Sequence, residues 1–183
     1  VGIATQSTKA YRDEGTIMVR NQNIKENELD DKEMVYIDEN FAKKFKDKKL
    51  KEGDILIVRT GNPGVACVVP KKYEGAQTFT TIIVRLNMKA CNSQFISQYI
   101  NSDFGRRYFR KTEIGGGQKN IGVSIVEKMP IKLPLMNNQN RIVEVLYKID
   151  LIIKEQQKKR KEYEKLKEAM MQKLLTGRVR VKK

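Results

Sequence analysis

Between Ile142 and Tyr163, seam residues return at intervals of 4-3-4-3-4-3: Ile142, Leu146, Ile149, Ile153, Gln156, Arg160 and Tyr163. A repeat averaging 3.5 residues is the mark of an α-helix with a coiled-coil seam. Leu166, Met170 and Leu174 continue the stripe after one slip of register. No glycine or proline interrupts 139–176, and Gly177 supplies a natural C-cap. Thirty-odd residues at a rise of ~1.5 Å make a rod of about 50 Å. A lone helix of that kind is marginal in water, so the seam predicts a second helix against it. Gln156 and Arg160 weaken the seam and help to fix its register.

The residues before the helix have a different character. Of 12 glycines, 11 precede Pro130, and all four prolines lie at or before Pro134. The economical division is a globular part, 1–138, and a helical part, 139–183. Residues 139–183 carry 14 basic and 6 acidic groups, and the 183-residue chain has a formal charge of +15. Few partners suit such a charge better than a polyanion. The chain does not begin with Met, which points to a start inside a longer protein or after a trimmed leader. No apolar run approaches the ~20 residues of a membrane span, and the N-terminus is no signal peptide. The expected location is the cytoplasm, with Cys67 and Cys91 as free thiols.

The globular part reads as strands joined by glycine-rich turns, an α+β fold. The segment 16–24 looks like a strand ending in amide-rich chain, and 33–37 is a short one. Asp38-Glu39-Asn40 can cap a helix over 41–46. The clearest strand is 53–61, which returns through Gly61-Asn62-Pro63-Gly64 into 65–70 as a hairpin. A further strand is expected over 78–86. A helix over 92–109, capped by Asn92 or Ser93, should turn Phe95, Ile96, Tyr99, Ile100 and Phe104 to the core. Ser124 and Glu127 match a capping box for a short helix. Pro130 to Pro134 reads as extended chain.

The chemistry available narrows the function. With no histidine, His metal sites, Ser-His-Asp triads and imidazole shuttles are excluded. Two cysteines without CxxC make neither a disulfide scaffold nor a zinc site. Gly115-Gly116-Gly117-Gln118-Lys119-Asn120 is not a Walker loop. No acidic residues recur in the phase of a nuclease metal site. No catalytic residue and no metal ligand is therefore expected, and no cofactor in this chain. Groups that read base edges do cluster at strand ends and loop tips. The candidates are Arg20, Asn21, Asn23, Arg59, Thr60, Gln118, Lys119 and Asn120, with Lys49 and Lys111 as phosphate contacts. For the lysines between Lys43 and Lys51, phosphate binding and a merely solvated face remain open. Two other classes also remain open, a stand-alone dimeric DNA-binding regulator and, more thinly supported, a nuclease.

Four segments carry a family resemblance. Gly53-Asp54-Ile55-Leu56-Ile57-Val58-Arg59-Thr60-Gly61 resembles a strand of the target-recognition domain in the DNA-specificity subunit of type I restriction-modification systems. Gly117 to Ile121, followed by Met129 to Leu135, resembles that domain's closing segment. Gln139-Asn140-Arg141-Ile142-Val143 resembles the opening of the family's conserved long helix. Lys173-Leu174-Leu175-Thr176-Gly177-Arg178-Val179-Arg180-Val181 resembles its ending. The resemblance implies a non-catalytic subunit that reads one half of a split double-stranded DNA target. It also implies methyltransferase partners using S-adenosylmethionine and a motor-nuclease partner using ATP and magnesium, in bacterial defence. Family members hold two recognition domains and two helices, whereas one of each is present here. Either a fragment or a half-subunit that forms a homodimer fits. The expected dimer seam is Ile142, Leu146, Ile149, Ile153, Tyr163, Leu166, Met170 and Leu174.

Overall fold

The computed structural model describes residues 1–5, 8–87, 90–112 and 120–180, with Thr112 described for its backbone alone. It divides into two compact units, Val1–Asn140 and Arg141–Lys183. Chain order in the first unit begins with β1 (Tyr11–Arg12), β2 (Thr16–Val19), β3 (Ile24–Lys25), β4 (Glu28–Leu29) and β5 (Val35–Ile37). Helix α1 (Glu39–Lys43) follows, then β6 (Ile55–Ile57), β7 (Ala66–Val68), β8 (Gln77–Thr78) and β9 (Ile82–Val84). Helices α2 (Ser93–Asn101), α3 (Asp103–Thr112) and α4 (Val123–Glu127) precede α5 (Met136–Leu175). The class is mixed α/β with a long C-terminal helix.

Three small sheets share the first unit: β1-β5-β2-β8, β3-β4 and β7-β6-β9. Strand β6 pairs antiparallel with both neighbours, and the 53–70 hairpin forms as expected. Ile55, Leu56 and Ile57 are all buried, so β6 is covered on both faces. Leu56 joins Val19, Leu50, Val58, Cys67 and Tyr73 in one apolar cluster. Ile3, Met18, Ile37 and Ala42 form a second. The motif residue Asp54 is a structural anchor. Its buried carboxylate accepts from Lys51 N at 2.9 Å and from Arg85 Nε and Nη2 at 2.8 and 2.6 Å.

Helix starts follow the side-chain chemistry. Asp38 accepts from Phe41 N at 2.9 Å to start α1, and Asn92 accepts from Gln94 N and Phe95 N at 2.8 and 3.1 Å to start α2. Three expectations need correction. The helix expected over 92–109 is two helices, broken at Ser102, whose extended backbone lets its hydroxyl donate to Tyr99 O at 2.6 Å. Gly105 permits the reversal, since a Cβ there would lie 2.0 Å from Ile100 O. The break takes Phe104 out of the core: it is 43% exposed and its ring lies tilted against that of Tyr99. The run 78–86 is also broken, because Thr80 takes φ +53° where its N–H donates to Ile3 O. Finally, α4 begins at Val123 with Gly122 as N-cap, and Ser124 makes no capping bond.

Gln139 closes the first unit. It is fully buried, although the flanking helix positions are exposed. Its Oε1 accepts from Asn92 N at 2.8 Å, and its Nε2 donates to Pro134 O and Ala90 O at 2.8 and 3.2 Å. Asn92 Nδ2 also donates to Asn140 Oδ1 at 2.8 Å, so the first turns of α5 are stitched to the start of α2. In the second unit α5 is exposed at most positions, with Val143, Leu146 and Asp150 half-buried. Ile149, Ile153, Leu166 and Met170 are 47%, 47%, 57% and 42% accessible. Gly177 ends the helix with φ +71°, and its N–H donates to Leu174 O.

Candidate nucleic-acid interface

The C-terminal end of β6 is where distant polar segments meet. Asn21 Nδ2 donates to Thr60 Oγ1 at 3.0 Å and to Thr60 O at 3.3 Å. Asn21 Oδ1 lies 3.1 Å from Thr81 Oγ1, which lies 2.8 Å from Thr78 Oγ1. Thr78 and Thr81 are fully buried, so a hydrogen-bonded column runs from the sheet interior to the rim. Thr60 forms a bridge with Asn120, and Ile121 N donates to Arg59 O at 3.0 Å. Asn21, Arg59, Thr60 and Asn120 thus come together from three segments of the chain. Among the described residues no hydrogen-bond partner holds the half-buried Arg59 guanidinium.

The other expected residues divide. Arg20 is half-buried and donates through Nη2 to Glu33 O. Asn23 is buried and spent internally: Oδ1 accepts from Arg20 N, while Nδ2 donates to Lys32 O and Asp30 O. Its amide shapes the turn instead of facing solvent. Lys49 is exposed, but Leu50 and Lys51 lead into the N-terminal end of β6, away from Thr60 along that strand. Lys111 is exposed on α3. Gln118 and Lys119 lie outside the described residues.

The Gly61–Gly64 loop stands between two clefts of about 440 Å³ each. One is lined by Asn21, Gln22, Lys25, Thr60 and Asn62, the other by Asn62, Arg106, Phe109 and Arg110, and Glu26 borders both. Gly64 has φ +92°, and a Cβ there would meet Phe109 at 2.6 Å, so the loop rests directly on α3. Phe109 is buried beneath it while Arg106, Arg107, Arg110 and Lys111 are exposed. Three of these cations, Arg106, Arg107 and Arg110, are absent from the candidates read from sequence. Their signal was present as an RRxxRK pattern, which places four cations on the solvent side of one helix. The rim thus combines amides and hydroxyls at the strand end with a cationic helix beside them. That is the combination that reads base edges and holds phosphates. Among the described residues no group of three or more Cys, Asp or Glu is placed to hold a metal ion. No helix among them is long and apolar enough to cross a membrane.

The type I restriction modification DNA specificity domain matches residues 2–164. The chain belongs to that family. Among curated relatives, this specificity domain is 26% identical over 152 residues to the type I restriction enzyme MjaVIII specificity subunit of Methanocaldococcus jannaschii. That match covers 80% of this chain and 36% of the relative. Two solved structures share the fold. The HsdS subunit from Thermoanaerobacter tengcongensis has 19% identity and a TM-score of 0.61, over 89% of this chain and 44% of that one. A chain from a type I R-M system solved to explain complex assembly and conformational transition has 18% identity and a TM-score of 0.69. It is matched over 94% of this chain and 46% of its own length. The specificity domain therefore spans less than half the length of these relatives.

Proposed function

We propose that residues 1–138 are a target-recognition domain that reads duplex DNA, as the non-catalytic specificity component of a type I restriction-modification enzyme. The observation that carries this reading is the junction of Asn21, Thr60 and Asn120 at the end of β6, beside the cations of α3. Arg59 is the proposed base reader, since guanidinium suits guanine in the major groove. Asn21 and Thr60 hold the reading edge in place. Arg107, Arg110 and Lys111 hold phosphate, and Lys49 reaches the backbone of a duplex that runs on past the rim.

Residues 139–183 serve as a spacer helix. Its seam, Ile142, Leu146, Ile149, Ile153, Tyr163, Leu166, Met170 and Leu174, pairs as a coiled coil with a second copy of this helix or of its kind. A two-fold pair would place identical readers at both ends, so the target would be an inverted repeat with a fixed spacer. Chemistry belongs to partners in the cytoplasm. A methyltransferase subunit brings S-adenosylmethionine, and a motor-nuclease subunit brings ATP and magnesium. The test is selection from a random-sequence duplex pool by the pure chain, followed by sequencing. A split, inverted motif is expected. Retention without any enriched motif would contradict the reading.

A further inference from the structure

A carboxylate stands among the cations of the rim. Glu26 borders both clefts around the Gly61–Gly64 loop, and Arg106 Nη2 donates to its Oε2 at 2.7 Å. The turn that carries Glu26 is held from the other side. Asn27 has φ +58° and its N–H donates to Ala66 O at 2.9 Å. Asn27 Nδ2 donates to Gln98 Oε1 at 2.9 Å, while its Oδ1 accepts from Ser97 Oγ at 2.9 Å and from Asn101 Nδ2 at 2.8 Å. Two residues of α2 that are themselves buried, Ser97 and Asn101, thus fix the mount. Arg106 is also anchored, because its Nε donates to Asn101 O at 2.9 Å. Only the outer ends of the two side chains are free to change partners, and both are 51% exposed. An ion pair so wet adds little to stability, yet its position is fixed by five hydrogen bonds.

A carboxylate on a DNA-facing edge repels phosphate and the acceptor atoms of bases. In the major groove it gains only where a base offers an amino hydrogen. Cytosine N4 does so, whereas adenine N6 stands beside the N7 acceptor and suits an amide better. We infer that Glu26 is a specificity-determining residue of the rim, accepting from the amino group of one cytosine while Arg106 transfers from Glu26 to a DNA phosphate. Without DNA, Arg106 satisfies the carboxylate. On a duplex lacking cytosine at that position, the carboxylate stays paired and Arg106 is withheld, which lowers affinity for other sequences. This inference rests on the recognition role proposed above.

The test compares the wild type with Glu26→Gln in the same pool selection, and titrates both against a random-sequence duplex at several salt concentrations. The wild-type motif is expected to contain a C·G pair that Glu26→Gln exchanges for A·T, since an amide reads adenine through N6 and N7. On random duplex, Glu26→Gln should bind several-fold more tightly, with a salt slope steeper by about one unit as Arg106 is released. Arg106→Gln should keep the cytosine and bind random duplex more weakly. If the wild type enriches a motif and Glu26→Gln enriches the same one with unchanged random-duplex binding, the role of Glu26 is overturned and the recognition role stands. If the wild type enriches nothing, the recognition role falls, and the cytosine contact falls with it.

Discussion

The two units of this chain meet the same physical demand in opposite ways. In Val1–Asn140, apolar side chains such as Ile55, Leu56, Ile57 and Ile82 are fully buried in the core. In Arg141–Lys183, apolar side chains recur just as regularly, yet every residue from 151 to 180 is exposed. The helix is supported locally by i,i+4 pairs: Glu144–Lys148 and Glu155–Lys159 at 2.7 Å, and Arg160–Glu164 at 2.8 Å. Solvent and salt screen such exposed pairs, so they contribute far less than burial of the stripe would. The first unit completes its core within itself; the second leaves its apolar stripe exposed, which suits the pairing proposed above.

The largest test of this contrast is to charge the seam. Ile149→Asp with Ile153→Asp should convert the proposed dimer to monomer, since each apolar side chain denied burial forfeits about 1.5–3 kcal/mol in both copies. Sedimentation equilibrium reads the mass, and the thermal transition of the first unit should not move. A wild type that is monomeric at micromolar concentration would break the contrast at once. A smaller effect is expected where the first unit closes. Gln139→Ala leaves Asn92 N and two carbonyls without their partner and should cost about 1–3 kcal/mol, read as a lower urea midpoint. Smallest is a thiol count. Burial pushes the Cys67 thiol up to about 12, while Cys91 is half-buried. A native chain at pH 8 should therefore react once with a thiol reagent, and twice after denaturation. Two fast reactions in the native chain would contradict the closed core around Cys67.

What could be read from the sequence was local. The strand at Ile55–Ile57 and its hairpin were legible because a contiguous apolar run is bounded by glycines, and Asn92 was legible as a cap from its residue type. The break at Ser102 was not, because an unbroken helical period hid a serine that satisfies Tyr99 O and a Gly105 that allows close approach. The kink at Thr80 depends on Ile3, which is remote in sequence. The site behaves the same way. Polar residue types at loop tips pointed to Asn21, Arg59, Thr60 and Asn120, but their meeting at one strand end is a tertiary fact. Asn23 had the same chemistry and is buried, since its amide satisfies three backbone groups. The cations of α3 were missed because a helix over 92–109 stops short of Arg110 and Lys111, so the RRxxRK pattern did not fall within one expected element. The mount of Glu26 depends on Asn27 reaching Ser97 and Asn101, and no local pattern reveals it.

The central claim, that the end of β6 reads sequence, is tested most directly by Arg59→Ala. Its affinity would be measured on the duplex selected by the wild type and on a scrambled duplex, at one salt concentration. The account predicts a loss of about 1–3 kcal/mol on the selected duplex, a much smaller loss on the scrambled one, and relaxed preference at a single position. Equal losses on both would make Arg59 a phosphate contact and would contradict the placement of the reading edge.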